Sequence, residues 1–267
     1  MKYKFLSLAL IAIISSLTGC QKVIDFKFQD SPTKYVIEGN VTNLAGPYQV
    51  TIGSTQNVQA DYAFQGVSQA NVTIRDNVGN GETLKEIQPG IYQTASLAGV
   101  EGRTYYLNIS FGKYSFTSTS VMPHPVNLDS VYTKQVYNFS KMVITAVPKF
   151  TDPVGKGNSY RFNETINGVL DKGLYYQNDE FTDGRINTFS LLRQDPDSTL
   201  HVGDHLSVEM QCIDSAVYKY WYSVDQSSLG QGGTTASNPV TNIVGGALGY
   251  FSAHTSQTKS IIVKQPN

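Results

Sequence analysis

The sequence predicts a mainly β fold class, an all-β chain that carries one α-helix. Short segments in which apolar and polar residues alternate recur along most of the chain, and turn-forming residues separate them. The 267 residues include 23 Gly, which suit hairpin turns, and 17 Tyr, which suit half-buried strands. The predicted architecture is an immunoglobulin-like β-sandwich N-terminal domain followed by a larger β-rich C-terminal domain with the helix.

Residues 1–19 have the organisation of an export signal. Lys2 and Lys4 precede an apolar run from Phe5 to Leu17. As a helix this run would be about 20 Å long, short of the roughly 30 Å of a bilayer core. The segment is therefore predicted to be a signal peptide and not a membrane span.

Cys20 ends the sequence Leu17-Thr18-Gly19-Cys20, which resembles the lipobox of bacterial lipoproteins. The resemblance implies that the Cys20 sulfur is acylated and that the signal is cut just before it. Several acyl chains, at about 0.8 kcal/mol per buried methylene, hold a protein durably at a membrane. We expect a lipid anchor at Cys20 and an extended tether over residues 20–33. Cys212 then has no intramolecular partner, and we expect it to be a small buried apolar residue.

The N-terminal sandwich is predicted over residues 34–122. Turn signals, including Pro89-Gly90 and Phe111-Gly112, separate its strand-like segments. Those segments are 34–41, 48–53, 70–76, 82–87, 104–110 and 113–121. The Cys and Trp marks of a true immunoglobulin domain are absent, so the sequence indicates the architecture alone.

The C-terminal domain is predicted over residues 127–267, after a boundary at the two prolines of Met122–Asp129. A polar stretch from Asp171 to Asp197 predicts irregular loops. The strand-like segments are 130–137, 142–150, 159–166, 206–213 and 260–265.

One helix is predicted near residues 215–229. Either Asp214 or Ser215 suits its N-cap. The residues that would form one apolar stripe, at i, i+3, i+4 and i+7, are Val217, Tyr220, Trp221 and Val224. We expect this helix to pack on the second β domain.

Composition and motifs argue against several classes of function. A net charge of −1 provides no basic field for nucleic acid. His201 and His205 are four apart, but the intervening Gly-Asp and the strand that follows favour a turn over a metal site. No catalytic motif is found, so we expect neither an enzyme nor a cofactor.

Asp179, Glu180 and Asp183 cluster in one loop and form the better of two calcium candidates in the sequence. A solvated acidic loop is the favoured interpretation. We therefore assign no metal site, and leave calcium binding by this loop as an open alternative.

Two aromatic pairs, Tyr175-Tyr176 and Tyr250-Phe251, are candidates for a ligand or partner surface. In an extended strand one ring of each pair would face the core and the other the opposite surface. Ordinary sandwich packing is the favoured interpretation for Tyr175-Tyr176, with a stacking surface as the alternative. The glycines of Gly245–Gly249 similarly favour a tight connection that holds the last strands on the domain. A ligand or partner surface is the alternative interpretation.

The segment NPVTNIVGGALGYFSAH (238–254) resembles the closing motif of the Bacteroidota lipoprotein family known as domain of unknown function 4249. Other stretches agree with this family in order: YVIEGNVTNLAGPYQVTI (35–52), PGIYQT (89–94), GRTYYLNI (102–109), GNSYRF (157–162) and GDHLSVEM (203–210). The resemblance implies an outer-membrane lipoprotein, often encoded beside transporters energised through TonB. Cell-surface facing is favoured, and periplasmic facing stays open.

The functional hypothesis is a non-catalytic, lipid-anchored outer-membrane lipoprotein. It would be an accessory binding or docking protein for a TonB-dependent nutrient uptake system, held in the membrane by acylated Cys20. The alternative is a structural or adhesive cell-envelope lipoprotein with no small-molecule ligand. A hydrolase whose site is assembled from distant residues is a third possibility.

Overall fold

The chain divides into two compact units, Met1–Pro32 and Thr33–Asn267. In this computed structural model the described residues, which all belong to the second unit, are 33–55, 64–195, 199–228 and 237–265. The predicted signal peptide, Cys20 and almost all of the tether lie outside them. Within these ranges no helix is long and apolar enough to cross a membrane.

The described residues form seventeen strands and one helix, so the mainly β class is confirmed. The first strands are β1 (Tyr35–Thr42), β2 (Gln49–Ser54), β3 (Asn71–Asp76), β4 (Gly81–Thr83), β5 (Lys85–Gln88), β6 (Ile91–Gln93), β7 (Thr104–Phe111) and β8 (Tyr114–Val121). They are followed by β9 (Leu128–Asn138), β10 (Lys141–Thr151), β11 (Ser159–Ile166), β12 (Val169–Leu170), β13 (Tyr175–Asn178), β14 (Ile186–Asn187) and β15 (His205–Ile213). The last elements are α1 (Ser215–Ser228), β16 (Ile243–Val244) and β17 (Leu248–Ile262).

The largest sheet has nine strands and joins both ends of the described chain. Its order is β12-β11-β15-β17-β1-β2-β6-β5, and β13 pairs with β11 beside this path. The long β17 makes the connection, because its first half pairs in parallel with β1 and its second half pairs antiparallel with β15. Strands of the two predicted domains therefore share one sheet, with no break in it at the predicted boundary.

The first hydrophobic core lies between part of this sheet and a five-stranded sheet of order β16-β8-β7-β3-β4. Ile37 and Ile52 face it from one side, and Ile74 and Leu107 from the other. Phe251 of β17 also lies in this core. The two sheets thus share one apolar interior, and β17 contributes to it from outside the segment predicted for the N-terminal domain.

The second core lies between the remaining strands of the large sheet and a three-stranded sheet of order β14-β10-β9. Phe150 of β10 packs against Tyr160 and Phe162 of β11, with ring centroids 4.7 and 6.0 Å away. The strands β13 and β14 lie in the polar stretch for which the sequence predicts irregular loops. β13 is extended because it pairs with β11, and β14 because it pairs with β10. Both pairings depend on the tertiary structure.

The helix α1 begins where the sequence predicts it. Asp214 is the N-cap, because its Oδ1 accepts the N–H of Val217 at 2.9 Å. Val217 and Tyr220 are buried, and Trp221 packs against the same cluster together with Tyr250 of β17. The predicted apolar stripe is therefore the face that holds the helix on the large sheet.

Candidate functional site

The hairpin of β9 and β10 ends in a group of exposed apolar side chains. Tyr137, Phe139 and Met142, which we call the hairpin tip, are 73%, 84% and 48% exposed. Tyr137 lies directly opposite Met142 in the antiparallel register, and Phe139 stands in the turn between them. Three large apolar side chains therefore lie next to one another on the surface.

Tertiary contacts hold the hairpin that carries the hairpin tip. Farther from the tip Val131 and Phe150 are buried in the second core, which fixes the lower part of the hairpin. At its end the Nδ2 of buried Asn138 donates a hydrogen bond of 3.0 Å to the carbonyl oxygen of Arg193. The exposed side chains are thus carried on backbone that is held on the rest of the protein.

Phe139 has an unfavourable backbone conformation. Its φ is +54°, in the left-handed region where Gly, Asn and Asp are the favoured turn residues. An aromatic side chain gains no burial there, since it points into solvent. Phe139 therefore stabilises neither the turn nor a hydrophobic core, which makes the hairpin tip a candidate contact surface.

A second group of functional interest consists of Asp152, Asp179 and Asp183, which we call the acidic cluster. Each residue offers one carboxylate oxygen, and these oxygens lie within 4.8 Å of one another. Asp152 follows the end of β10, Asp179 follows β13, and Asp183 lies in the next turn. Asp152 and Asp179 are buried, and Asp183 is partly exposed.

Backbone donors orient two of these carboxylates. Asp179 Oδ2 accepts the N–H groups of Gly157 at 2.7 Å and Asn158 at 2.8 Å. Asp183 Oδ1 accepts the N–H of Gly155 at 2.7 Å. The segment after β10 therefore wraps around the loop after β13 and holds the two aspartates in place.

Asp152 is less well satisfied. Its Oδ1 accepts a hydrogen bond from the Tyr160 hydroxyl, whereas its Oδ2 is buried without a hydrogen-bond partner. Burial raises the pKa of Asp152, and the nearby carboxylates of Asp179 and Asp183 raise it further. The Tyr160 hydroxyl and the Gly184 N–H act in the opposite direction and lower the pKa of Asp152.

A buried ion network lies elsewhere around β11. Arg193 Nη2 lies 2.6 Å from Glu164 Oε2, and its Nε lies 3.3 Å from Asp171 Oδ1. The Tyr175 hydroxyl donates to Asp171 Oδ2 at 3.0 Å. Burial raises the pKa of Glu164 to about 7, although Arg193 acts in the opposite direction. Because Glu164 and Arg193 are closed to solvent, this network connects elements of the fold and does not present a binding surface.

A cavity of about 600 Å³ lies between residues 43–48 and 93–99. The backbone donors of its wall are already occupied, because the Glu82 carboxylate accepts the N–H groups of Ala95, Ser96 and Leu97 at 2.5, 3.0 and 2.8 Å. These donors would otherwise suit a bound anion. Their occupation by Glu82 makes the cavity a weak candidate site.

Three of the four aromatic candidates from the sequence are buried. Phe251 is 0% exposed in the first core, Tyr250 lies under α1, and Tyr175 lies in the second core. The expectation of a ligand or partner surface is corrected for these three rings, since β17 is covered on both faces at residues 249–256 and Tyr175 of β13 faces the second core. Tyr176 is half-buried, and its hydroxyl donates to Asp225 Oδ2 at 2.7 Å.

The structure changes the membership of the predicted acidic site and places the two histidines in a turn and a strand. Glu180 is exposed and lies outside the acidic cluster, where Asp152 takes its place. His201 precedes a turn at residues 202–203, and His205 begins β15. The two imidazoles are therefore not on one helix face, which agrees with the turn that the sequence predicts. Sequence reasoning missed both Asp152 and the hairpin tip. The available signals were an Asp-Pro pair at a strand end and a Phe between two strand-like segments.

Cys212 agrees with its predicted role. The thiol is buried and free, and burial raises its pKa. Its Sγ accepts the N–H of Val126 at 3.4 Å, which ties β15 to the segment before β9. This cysteine contributes to the core and is shielded from reagents.

Over residues 21–260 the chain matches the model of a protein family described as Domain of unknown function (DUF4249). The match begins at the residue after Cys20 and ends within β17. No curated protein matches the chain.

Proposed function

The chain belongs to the DUF4249 family, and from this premise we propose that it is a non-catalytic binding or docking lipoprotein of the outer membrane. In this proposal Cys20 carries the lipid and residues 20–33 are the tether. The β unit beyond the tether offers the hairpin tip to a protein partner. The partner class we propose is a TonB-dependent outer-membrane transporter, for which this protein is an accessory.

The hairpin tip is the single observation that carries the proposal. Aromatic residues and Met are enriched at the centres of protein–protein interfaces, where burial of a few large side chains supplies most of the binding free energy. Tyr137, Phe139 and Met142 supply such side chains next to one another, and each is about half exposed or more. A preformed hairpin also lowers the ordering cost of association, because the backbone is already held by the Asn138 contact with Arg193.

The arrangement favours a protein partner over a small nutrient molecule. Small-molecule sites are concave and surround most of their ligand. The hairpin tip is convex, since its side chains project from the end of a two-stranded turn. A convex apolar group fits a recess on a larger protein partner.

The experiment isolates the tagged, lipidated protein from its own outer membrane after mild cross-linking. We expect a TonB-dependent transporter in near-equal amount with the wild-type chain. The double variant Tyr137→Ser, Phe139→Asn is expected to lose this transporter. Val78→Asn, which removes another exposed apolar side chain at a different turn, is the matched control and is expected to retain it.

Two results would contradict the proposal. Recovery of the wild-type protein alone would remove the transporter and favour a freestanding structural or adhesive role. Undiminished recovery of the transporter with the double variant would show that docking uses another surface.

The lipid anchor requires its own test. Metabolic labelling with a clickable palmitate analogue is expected to label the wild-type protein and not Cys20→Ser. The Cys20→Ser protein is expected to leave the membrane fraction. A Cys20→Ser chain that stays membrane-bound would contradict the lipid anchor. It would not test the role of the hairpin tip in docking.

A further inference from the structure

We propose that Asp152, Asp179 and Asp183 form a binding site for one Ca²⁺ ion. This site goes beyond the proposed docking function and does not depend on it. It lies where the segment after β10 meets the loop after β13, whereas the hairpin tip is at the opposite end of β10.

The spacing of the three carboxylates fits a shared ion. Ca²⁺ binds oxygen ligands at about 2.3–2.6 Å, so two ligands of one ion are separated by no more than about 5 Å. One oxygen from each of the three aspartates lies within 4.8 Å of the others. Three oxygens at this spacing are close enough together to share one ion.

The unpartnered oxygen of Asp152 is the independent observation that points to a ligand. Asp152 is 1% exposed, and its Oδ2 has no hydrogen-bond donor. A buried carboxylate oxygen without a partner is costly, and a cation is the partner that satisfies it best. One carboxylate oxygen of Asp152 lies within 4.8 Å of one oxygen each of Asp179 and Asp183, so this buried carboxylate belongs to the same group of converging charges.

Among the described residues no side chain supplies the missing positive charge. The ion pairs that the described residues form involve other carboxylates, and none includes a member of the acidic cluster. Three carboxylates therefore converge here, and no described Lys, Arg or His forms an ion pair with any of them. That imbalance is what a bound divalent ion removes.

The donor set favours Ca²⁺ among the common divalent ions. All the proposed protein ligands are carboxylate oxygens, which suit Ca²⁺ and Mg²⁺ better than Zn²⁺, whose sites are richer in His and Cys. Backbone N–H groups of Gly155, Gly157 and Asn158 hold two of the carboxylates in place, as outer-shell groups do in metal sites. Ca²⁺ tolerates the irregular geometry that such loops provide, and water completes its six to eight ligands.

The binding experiment uses the full mature chain after removal of metal with a chelator. Titration with CaCl₂ in a calorimeter is expected to show one saturable ion per chain. Tb³⁺, which replaces Ca²⁺, is expected to luminesce on excitation of tyrosine, because Tyr160 contacts the ligand Asp152 directly. Excess CaCl₂ is expected to displace Tb³⁺ and to quench this luminescence.

The variants assign the site. Asp152→Asn and Asp183→Asn are each expected to weaken Ca²⁺ binding at least about tenfold, because each replaces a charged ligand. Glu180→Gln makes the same charge change in the same loop, but Glu180 is outside the cluster. It is therefore the matched control, and its Ca²⁺ affinity is expected to equal that of the wild type.

A melting experiment separates loss of the ligand from loss of the fold. In a chelator Asp152→Asn is expected to melt at or above the wild-type temperature, since it removes an unsatisfied buried charge. Added CaCl₂ is expected to raise the melting temperature of the wild type and of Glu180→Gln, and not that of Asp152→Asn. If Asp152→Asn fails to fold, the partly exposed Asp183→Asn decides the question.

Three results would overturn the site. One is the absence of calcium heat and of tyrosine-sensitised luminescence in the wild type up to about 1 mM, the weak end of extracellular calcium modules. Another is wild-type affinity in the folded Asp152→Asn and Asp183→Asn variants. The third is an equal loss in Glu180→Gln, which would indicate a diffuse electrostatic effect.

Discussion

Gly249 of β17 lies opposite Ile37 of β1, so close that a Cβ atom on Gly249 would be 2.0 Å from the Ile37 carbonyl oxygen. Its φ is +95°, a conformation that side chains rarely adopt. This close approach begins the parallel pairing that joins the two ends of the described chain. The backbone conformation and the close approach therefore require glycine at position 249 of the closing motif.

Replacement of Gly249 should be far more costly than replacement of its neighbour Gly246. Gly249→Ala adds a steric clash to the backbone strain, so we expect a loss of at least about 3 kcal/mol in the free energy of unfolding. Gly246 has a similar φ, but an added Cβ there would meet open space. Gly246→Ala should therefore lower the free energy of unfolding by only about 1 kcal/mol. Urea denaturation of both variants tests this difference, and equal losses would refute the close approach.

The N-cap of α1 should contribute more than an ordinary cap. Asp214 Oδ1 caps Val217, and its Oδ2 accepts hydrogen bonds from Ser120 Oγ at 2.5 Å and Val121 N at 3.0 Å. Asp214→Ala should therefore lower the free energy of unfolding by about 2–3 kcal/mol, through the cap and the two orphaned donors. Ser215→Ala is the control, and should change it by less than about 0.5 kcal/mol because Ser215 is exposed. Similar losses in both variants would argue against Asp214 as the cap.

Glu164 should give the stability of the protein a distinctive dependence on pH. Its pKa of about 7 in the folded protein exceeds the ordinary glutamate value, because burial disfavours the charged form. The folded state therefore holds this proton more tightly, and the resulting stability is present at low pH and is lost as pH rises through about 7. From about pH 5 to about pH 8 the free energy of unfolding of the wild type should fall by on the order of 2–3 kcal/mol more than that of Glu164→Gln.

Guanidinium denaturation of both proteins at the two pH values measures this loss. Glu180→Gln, at an exposed position, is the control and should keep the wild-type profile. Parallel profiles for the wild type and Glu164→Gln would show that Glu164 does not titrate in this range.

The hairpin tip should be dispensable for folding. Phe139→Asn replaces an exposed aromatic residue at φ +54° with a residue that accepts this conformation. We expect the free energy of unfolding to stay unchanged or to rise by about 0.5–1 kcal/mol, while recovery of the membrane partner falls. Thermal melting together with the cross-linking assay measures both quantities. A strongly destabilised Phe139→Asn would mean that the side chain has a structural role.

Patterns over a few residues correctly predicted much of the secondary structure. The helix α1 could be located because one apolar stripe and an N-cap lie within a short segment. The strands β9 and β10 could be located because alternation is a property of neighbouring residues. The short β13 and β14 could not, since their extended form depends on pairing with β11 and β10.

The sequence by itself determined the mainly β class, the helix with its packing face, and the buried fate of Cys212. It also carries the prediction of a lipid anchor at Cys20. The tertiary structure alone decided that β17 pairs with β1, that Phe251 is enclosed and that Phe139 is exposed. It also brought Asp152 to Asp179 and Asp183 in place of Glu180. The physical reason is that periodicity and capping depend on neighbours in the chain, whereas burial, sheet order and convergence of charges depend on segments that meet only in the folded protein.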